Sequence, residues 1–182
     1  MKVLHLCLAS FYIDDYGYQE NILPKAHKAL GFDVEIVAST ESYGKNQKLI
    51  YLPPSKYLSS DGIQVTRLGY DIFGKKIRGY KGLYEYLIKS CPDIIFMHDC
   101  QFKGVFDLIR YHRKNPSLVM YADCHTDFIN SGRGFLSKYV LHKIIYRYFV
   151  QKIEPYVKKF YGVLPLRSQF LIDVYRVPAH KV

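Results

Sequence analysis

The chain has 182 residues, 49% of them hydrophobic and 23% charged, which allows one sizeable core and excludes a disordered or low-complexity class. Its formal charge is +10, from 26 Lys and Arg against 16 Asp and Glu, a balance that favours anionic partners such as phosphate-bearing substrates or a membrane surface. Zinc-finger spacing, an aromatic RNP-type segment and heptads behind a basic region are all missing, which argues against nucleic acid as the partner, and no run of about 18 apolar residues offers a membrane span.

From the N-terminus onward, residues 3–8 form a continuous apolar run of strand length, as expected of a strand buried on both faces. With Met1 and Lys2 ahead of it, the run superficially resembles a signal peptide. It is short, however, His5 interrupts it, and no A-x-A-like cleavage site follows. Residues 10–17 read as a loop, 21–30 as a helix ended by Gly31, and 34–38 as a second strand. The polar stretch 39–62 contains Pro53-Pro54 and Ser59-Ser60 and reads as a long excursion with a short strand at 49–52. Residues 63–68 set Ile63, Val65 and Leu68 against Gln64, Thr66 and Arg67, the alternation of an exposed or edge strand. A helix over 83–89 is broken by Pro92, and 93–97 is another apolar strand. There follow a helix over 105–114, a strand over 117–122, a long helix over 136–152, a short strand over 161–164 and a helical stretch over 168–175. Strands alternating with helices predict an α/β fold: a Rossmann-like parallel sheet with helices on both faces.

Cys7, Cys91, Cys100 and Cys124 follow no paired framework, so they read as reduced thiols of a cytoplasmic protein. In the helix over 136–152, a 3.6-residue period puts Val140, Leu141, Ile144, Ile145 and Tyr148 on one arc and Lys138, His142, Lys143 and Arg147 on the other. That is an ordinary surface helix, or else a basic face for a membrane or a phosphorylated acceptor. The run Lys75-Lys76-Ile77-Arg78 and the pair Lys158-Lys159 add to the positive surface.

In an open parallel sheet, ligands bind outside the carboxyl ends of the strands. Three polar clusters follow predicted strands: Asp14 to Gln19, His98 to Gln101, and Asp123 to Asp127. If those strands are parallel, the clusters share one edge. The candidate site is therefore His125, with Gly17, Tyr18, Gln19, His98, Asp99, Asp123 and Asp127 around it. His98, Cys100, Cys124 and His125 are possible metal ligands, but His98-x-Cys100 and adjacent Cys124-His125 depart from zinc spacing, and no metal is expected. A nucleophilic Cys100 or Cys124 beside His125 is a second reading, acid–base work by His98, His125 and carboxylates a third. A fourth has both histidines merely bonding backbone at strand ends. The helix start after Gly17 suits a phosphate or carboxylate. Yet G-x-G-x-x-G and the P-loop signature are missing, and Asp14-Asp15 would repel a pyrophosphate, which argues against an NAD enzyme.

These residues resemble family 4 of the retaining, GT-B-fold glycosyltransferases over nearly the whole chain. Residues 17–24 look like the loop-to-helix passage of one subgroup. Residues 30–36 are similar to "L-G-H-x-V-x-V", with Phe32 where His is commoner, and 61–68 to "G-V-x-V-x-R-L". Residues 92–98 resemble "P-D-I-I-H-x-H", with Phe96 for the first His, and 166–182 the segment before the domain linker. The resemblance implies that 1–182 is a single Rossmann-like N-terminal domain on the acceptor side. The C-terminal nucleotide-sugar-binding domain, with its E-x7-E-type motif, lies outside this chain. It implies transfer of a sugar from a nucleotide-sugar donor to a glycan or lipid-linked acceptor, as in cell-surface polysaccharide synthesis, without a metal or other cofactor. By the same resemblance His125 sits near the reacting sugar, and Gly17 or Tyr18 approaches the donor; many members have two glycines in that loop where this chain has one. The protein is then cytoplasmic, with the inner face of the membrane as a possible station. The alternative expectation is a non-catalytic basic module that binds membrane or polyanion.

Overall fold

The computed structural model describes the chain apart from residues 45, 47, 75–76 and 130–135, with the backbone alone for 72–74 and 136–138. Strand β1 (Lys2–Cys7) leads through a loop to α1 (Gln19–Ala29) and β2 (Asp33–Ser39). The excursion that follows carries β3 (Glu41–Tyr43), β4 (Leu49–Tyr51) and β5 (Ser55–Leu58). Next come β6 (Gln64–Leu68), β7 (Tyr70–Gly74) and β8 (Ile77–Tyr80). Helices α2 (Leu83–Ser90) and α3 (Val105–Lys114) flank β9 (Ile94–His98), and β10 (Val119–Cys124) follows. A π-wound segment, Leu136–Tyr146, runs into α4 (Arg147–Ile153), then β11 (Val157–Gly162) and α5 (Pro165–Asp173).

The main sheet has seven strands in the order β11-β10-β9-β1-β2-β6-β5. All neighbours are parallel except β5, which runs against β6. Counted along the chain without β5, the order reads 3-2-1-4-5-6, that of a doubly wound Rossmann sheet. β1 is the pivot: the chain winds outward through β2 on one side and later through β9 on the other. The α/β expectation therefore holds. Residues 63–68 do not form an edge strand. β6 is paired on both sides, and β5, which the polar sequence of the excursion concealed, takes the edge.

The period-2 alternation of β1 explains how the two faces are filled. Leu4, Leu6 and Leu8 enter a large core with Ile95, Met97, Met120, Ala122 and Phe160, closed by side chains of α2, α3, α4 and α5. The other face buries Cys7, Ile36, Ala38 and Val65 in a smaller cluster; there α1 lies on β1 and β2. Burying the Leu, Ile, Val, Met and Phe side chains among these stabilises the fold by about 1.5–3 kcal/mol each. Gly162 lets β11 turn into α5: a β-carbon there would collide with the backbone N and Oγ of Ser168.

The segment 136–152 departs from its expected faces. Its first eleven residues are π-wound, with i→i+5 bonds in place of i→i+4, so an arc drawn at 3.6 residues per turn does not apply. Val140, Ile144 and Tyr148 are exposed, Leu141 and Ile145 half-buried, and His142 is buried, its Nδ1 2.8 Å from the Tyr175 hydroxyl. The side chain of Lys138 lies outside the described part of the structure. Of the basic run 75–78, Lys75 and Lys76 lie outside the described residues. Arg78 turns inward, pairing with Glu41 at 3.0 Å and donating to the Ala9 carbonyl at 2.9 Å.

Candidate functional site

β1, β9 and β10 end at one edge, and there a cleft of about 790 Å³ opens. The loop after β1 and the start of α1 form one wall, with Ser10, Tyr16, Gly17, Tyr18, Gln19 and Glu20. Asp99, His125 and Thr126 form the floor at the ends of β9 and β10, and Arg167 of α5 closes a side. This is the crevice at the switch point, where an open α/β sheet leaves its strand ends unobstructed.

The loop wall is fixed from behind. Arg67 is 1% exposed. Its guanidinium donates to the carbonyls of Tyr12 and Ser39 and, at 3.0 Å, to Asp14 Oδ2. Tyr57 also donates to Asp14, at 2.8 Å, and Ser60 to Asp15. Asp14 and Asp15 are thus held away from the cleft by these partners and do not line it.

The floor is welded by two carboxylates. Asp99 has φ +61°, a left-handed conformation that aspartate tolerates and that turns the chain sharply as β9 ends. Its amide donates to Asp123 Oδ1 at 3.0 Å, while its own Oδ1 accepts the His125 amide at 3.0 Å. The ends of β9 and β10 therefore hold each other. Gln101 adds a second tier, donating to Thr126 Oγ1 at 2.7 Å and to the Tyr175 hydroxyl at 3.1 Å.

Asp123 is the hub. Its Oδ2 lies 2.9 Å from His98 Nδ1, and its Oδ1 3.1 Å from His125 Nε2. The second contact is a close ion pair rather than an aligned hydrogen bond. Burial alone would raise the Asp123 pKa, but the two rings beside it hold the carboxyl well below the usual carboxylate range. For His125, burial favours the neutral ring, yet Asp123, with Asp99 and Glu20 behind it, raises the pKa to about 9. Burial pushes Asp99 up to about 6. At neutral pH the cleft floor therefore carries an imidazolium paired to a buried carboxylate.

Of the residues expected at the site, Gly17, Tyr18, Gln19, Asp99 and His125 line the cleft. His98 and Asp123 stand behind the floor, fully buried, with Asp123 in contact with His125. Asp127 is buried too, accepting the Ile129 amide at 2.8 Å and facing Arg167 at 3.5 Å. Cys100 and Cys124 belong to the main core, and burial pushes both thiols well above their usual range. Neutral thiols are poor nucleophiles, which weighs against nucleophilic work at neutral pH. Among the described residues, only His98, Asp123 and His125 bring three potential ligand atoms within 4.8 Å of one another. Two of these three, His98 and Asp123, are hydrogen-bonded to each other at 2.9 Å.

Arg67 and His5 are not apparent from the sequence pattern: the first reads as one of the polar residues of an alternating strand, the second as an interruption of an apolar one. A polar group inside a strand buried on both faces must find a partner, and that rule was the available signal. No family model matches the chain, and no match to it is found among curated proteins.

Proposed function

We propose that this chain is the acceptor-side domain of a retaining GT-B-type glycosyltransferase, taking a sugar from a nucleotide-sugar donor to a glycan or lipid-linked acceptor. The observation that carries this reading is the placement of His125, 3.1 Å from the buried Asp123 and with its amide held by Asp99, opposite the Tyr16–Gly17–Tyr18 wall of a strand-end cleft. Sugar transfer from a nucleoside diphosphate develops negative charge on the leaving group and positive charge at the anomeric carbon. Enzymes lower such a barrier chiefly with preorganised charge, which needs no rearrangement during the reaction. His125 provides that charge at neutral pH. Gly17 has open space where a β-carbon would stand, so a ligand can approach the backbone there. Asp99, its carboxyl raised to about 6, provides the acceptor hydroxyl with a hydrogen-bond partner on the same floor. The residues of the cleft accomplish this without a metal or other cofactor.

The test uses the natural protein at its full length, incubated with a panel of nucleotide sugars. Release of nucleoside diphosphate with one donor, and a glycosylated product retaining the anomeric configuration, is the expected outcome. Hydrolysis of none of the panel in the presence of glycan and lipid-linked acceptors contradicts it.

A second reading, docking on an anionic membrane, draws on the exposed Val140, Ile144 and Tyr148, with Lys143 over the Tyr139 ring and Lys152 over that of Tyr148. No described helix is long and apolar enough to cross a membrane, so such an association would be peripheral. Apolar side chains rimmed by lysines suit the interfacial layer. Co-sedimentation with anionic vesicles at low salt is expected, weakened several-fold by Ile144→Asp. Equal recovery with neutral and anionic vesicles sinks this reading.

A further inference from the structure

Behind the cleft floor lies a chain of side chains that the proposed transfer does not use. His98 Nε2 is 3.0 Å from His5 Nδ1, and His5 Nε2 is 2.9 Å from His27 Nδ1. With His98–Asp123 at 2.9 Å and Asp123–His125 at 3.1 Å, five titratable groups stand in one unbroken line. The line starts at His27 in the last turn of α1, crosses β1, β9 and β10 on the α1 side of the sheet, and ends in the cleft. His5 and His98 are both 0% exposed. His27 lines a separate hollow of about 410 Å³, walled by Phe96, Tyr121 and Tyr161, which meets the cleft only at Gln19. Apolar side chains would fill the positions of His5 and His98 at less cost in desolvation.

The order of donors follows from one end. An ionised carboxylate only accepts, so His98 presents Nδ1–H to Asp123 and, when neutral, accepts at Nε2. His5 must then donate from Nδ1 and accept at Nε2, and His27 must donate from Nδ1. All three neutral rings point their protons at Asp123, and the outer nitrogen of His27 faces the hollow as an acceptor.

We propose that His27, His5 and His98 are a proton relay that keeps the buried Asp123 charge compensated whenever His125 gives up its proton in the cleft. Loss of the His125 proton leaves Asp123 without its counter-charge. A proton from water in the hollow bonds to His27 Nε2, and the Nδ1 proton of His27 passes to His5 Nε2. The Nδ1 proton of His5 passes to His98 Nε2, and His98 becomes the imidazolium beside Asp123. One proton enters, two pass between rings, no heavy atom moves, and the net charge of the cluster is restored. Return of a proton to His125 from the cleft reverses the sequence and expels one at His27.

The surroundings suit a single mobile proton. The groups facing the line are Glu20 of α1, 4.0 Å from His125 Nε2, Asp99 at the end of β9, and Cys7 of β1, whose thiol burial keeps neutral. Burial and the neighbouring rings of His98 and His27 hold His5 well below the usual histidine range, so it carries a proton onward without keeping it. The relay deepens the reading of His125 as the charged group of the cleft. It does not require that a sugar be transferred, and its test needs no substrate.

The test is nitrogen-15 NMR of histidine-labelled protein, which reports the state of each ring nitrogen. In the unmodified chain at pH 7, His27, His5 and His98 are expected as neutral rings protonated at Nδ1. In His125→Gln, whose substituted side chain borders the cleft, His98 should be protonated at both nitrogens, and His5 and His27 should switch to the Nε2–H form. An Nε2–H form of His5 or His27 in the unmodified protein overturns the relay. So does His125→Gln with all three rings unchanged, since a merely structural chain would not switch. If His125→Gln does not fold, the unmodified protein is followed through about pH 9, where His125 gives up its proton; the same switch of His98, His5 and His27 is expected there, and its absence overturns the relay. Failure here with sugar transfer intact removes the relay alone; failure of transfer with the switch intact removes only the reaction assigned to the cleft.

Discussion

His125 and His5 pull the stability of the protein in opposite directions as pH changes. The His125 pKa is raised in the folded state, to about 9, so the stability it contributes is fully present below about 6.5, its unfolded value. That contribution is lost as pH rises through 9. His5 is shifted the other way by burial, so its neutral form is favoured in the native state, and stability falls as pH drops below about 6.5 because the unfolded chain binds the proton. His27, lowered by burial and by His98, adds to the same acid-side slope. Chemical denaturation across pH 5–10 should therefore show a maximum near neutrality. His5→Phe should flatten the limb between about pH 6.5 and 5, and an unchanged acid limb in that variant would show that burial does not shift this ring. His125 itself was legible in the sequence, because a polar residue just past an apolar strand marks a strand end. The relay was not. His5 looks like a flaw in a strand and His27 like an ordinary last-turn cation, and only the register of β1, β9 and β10 brings them to Asp123.

Among the elements, the loop between β1 and α1 depends on a strand far from it in sequence. Arg67 of β6 holds Tyr12 and Asp14 in place, so the cleft wall is set by a buried guanidinium rather than by the loop's own bonds. Asp14 is partly exposed and keeps Tyr57, but the carbonyls of Tyr12 and Ser39 lose their donor without Arg67, and an unsatisfied buried polar group costs about 1–3 kcal/mol. Arg67→Met should lower stability by that order and disorder the 12–18 loop, measured by denaturant titration and by amide exchange at Tyr16 and Gly17. A loss below about 1 kcal/mol with the loop still protected would contradict this role. Apolar runs and caps located most elements: α3 matches its expected bounds over 105–114, and β1, β2, β9 and β10 fall within two residues of theirs. The hairpins β3–β4 and β7–β8 were largely hidden, because three- to five-residue strands with mixed polarity are defined by their partners rather than by their own pattern. The π-wound segment misled for a different reason. Its winding does not follow a 3.6-residue period, so Val140 and Ile144 face outward and His142 inward, against the arc that period predicts.

For the molecule as a whole, the strand order and the position of the cleft belong together. The reversal at β1 leaves the ends of β1 and β9 without a crossing connection, and the polar clusters of three strands collect there. α/β character was readable from the alternation of elements, and with it the shared edge. The chemistry of that edge needed the distances around Asp123. The role given to His125 stands or falls on the turnover of nucleotide sugar by the full-length natural protein and by His125→Ala, each confirmed folded. A fall in kcat of roughly 100-fold or more is predicted for His125→Ala, the scale expected when a preorganised charge is removed from a reacting centre. Equal turnover by the two proteins would contradict that role.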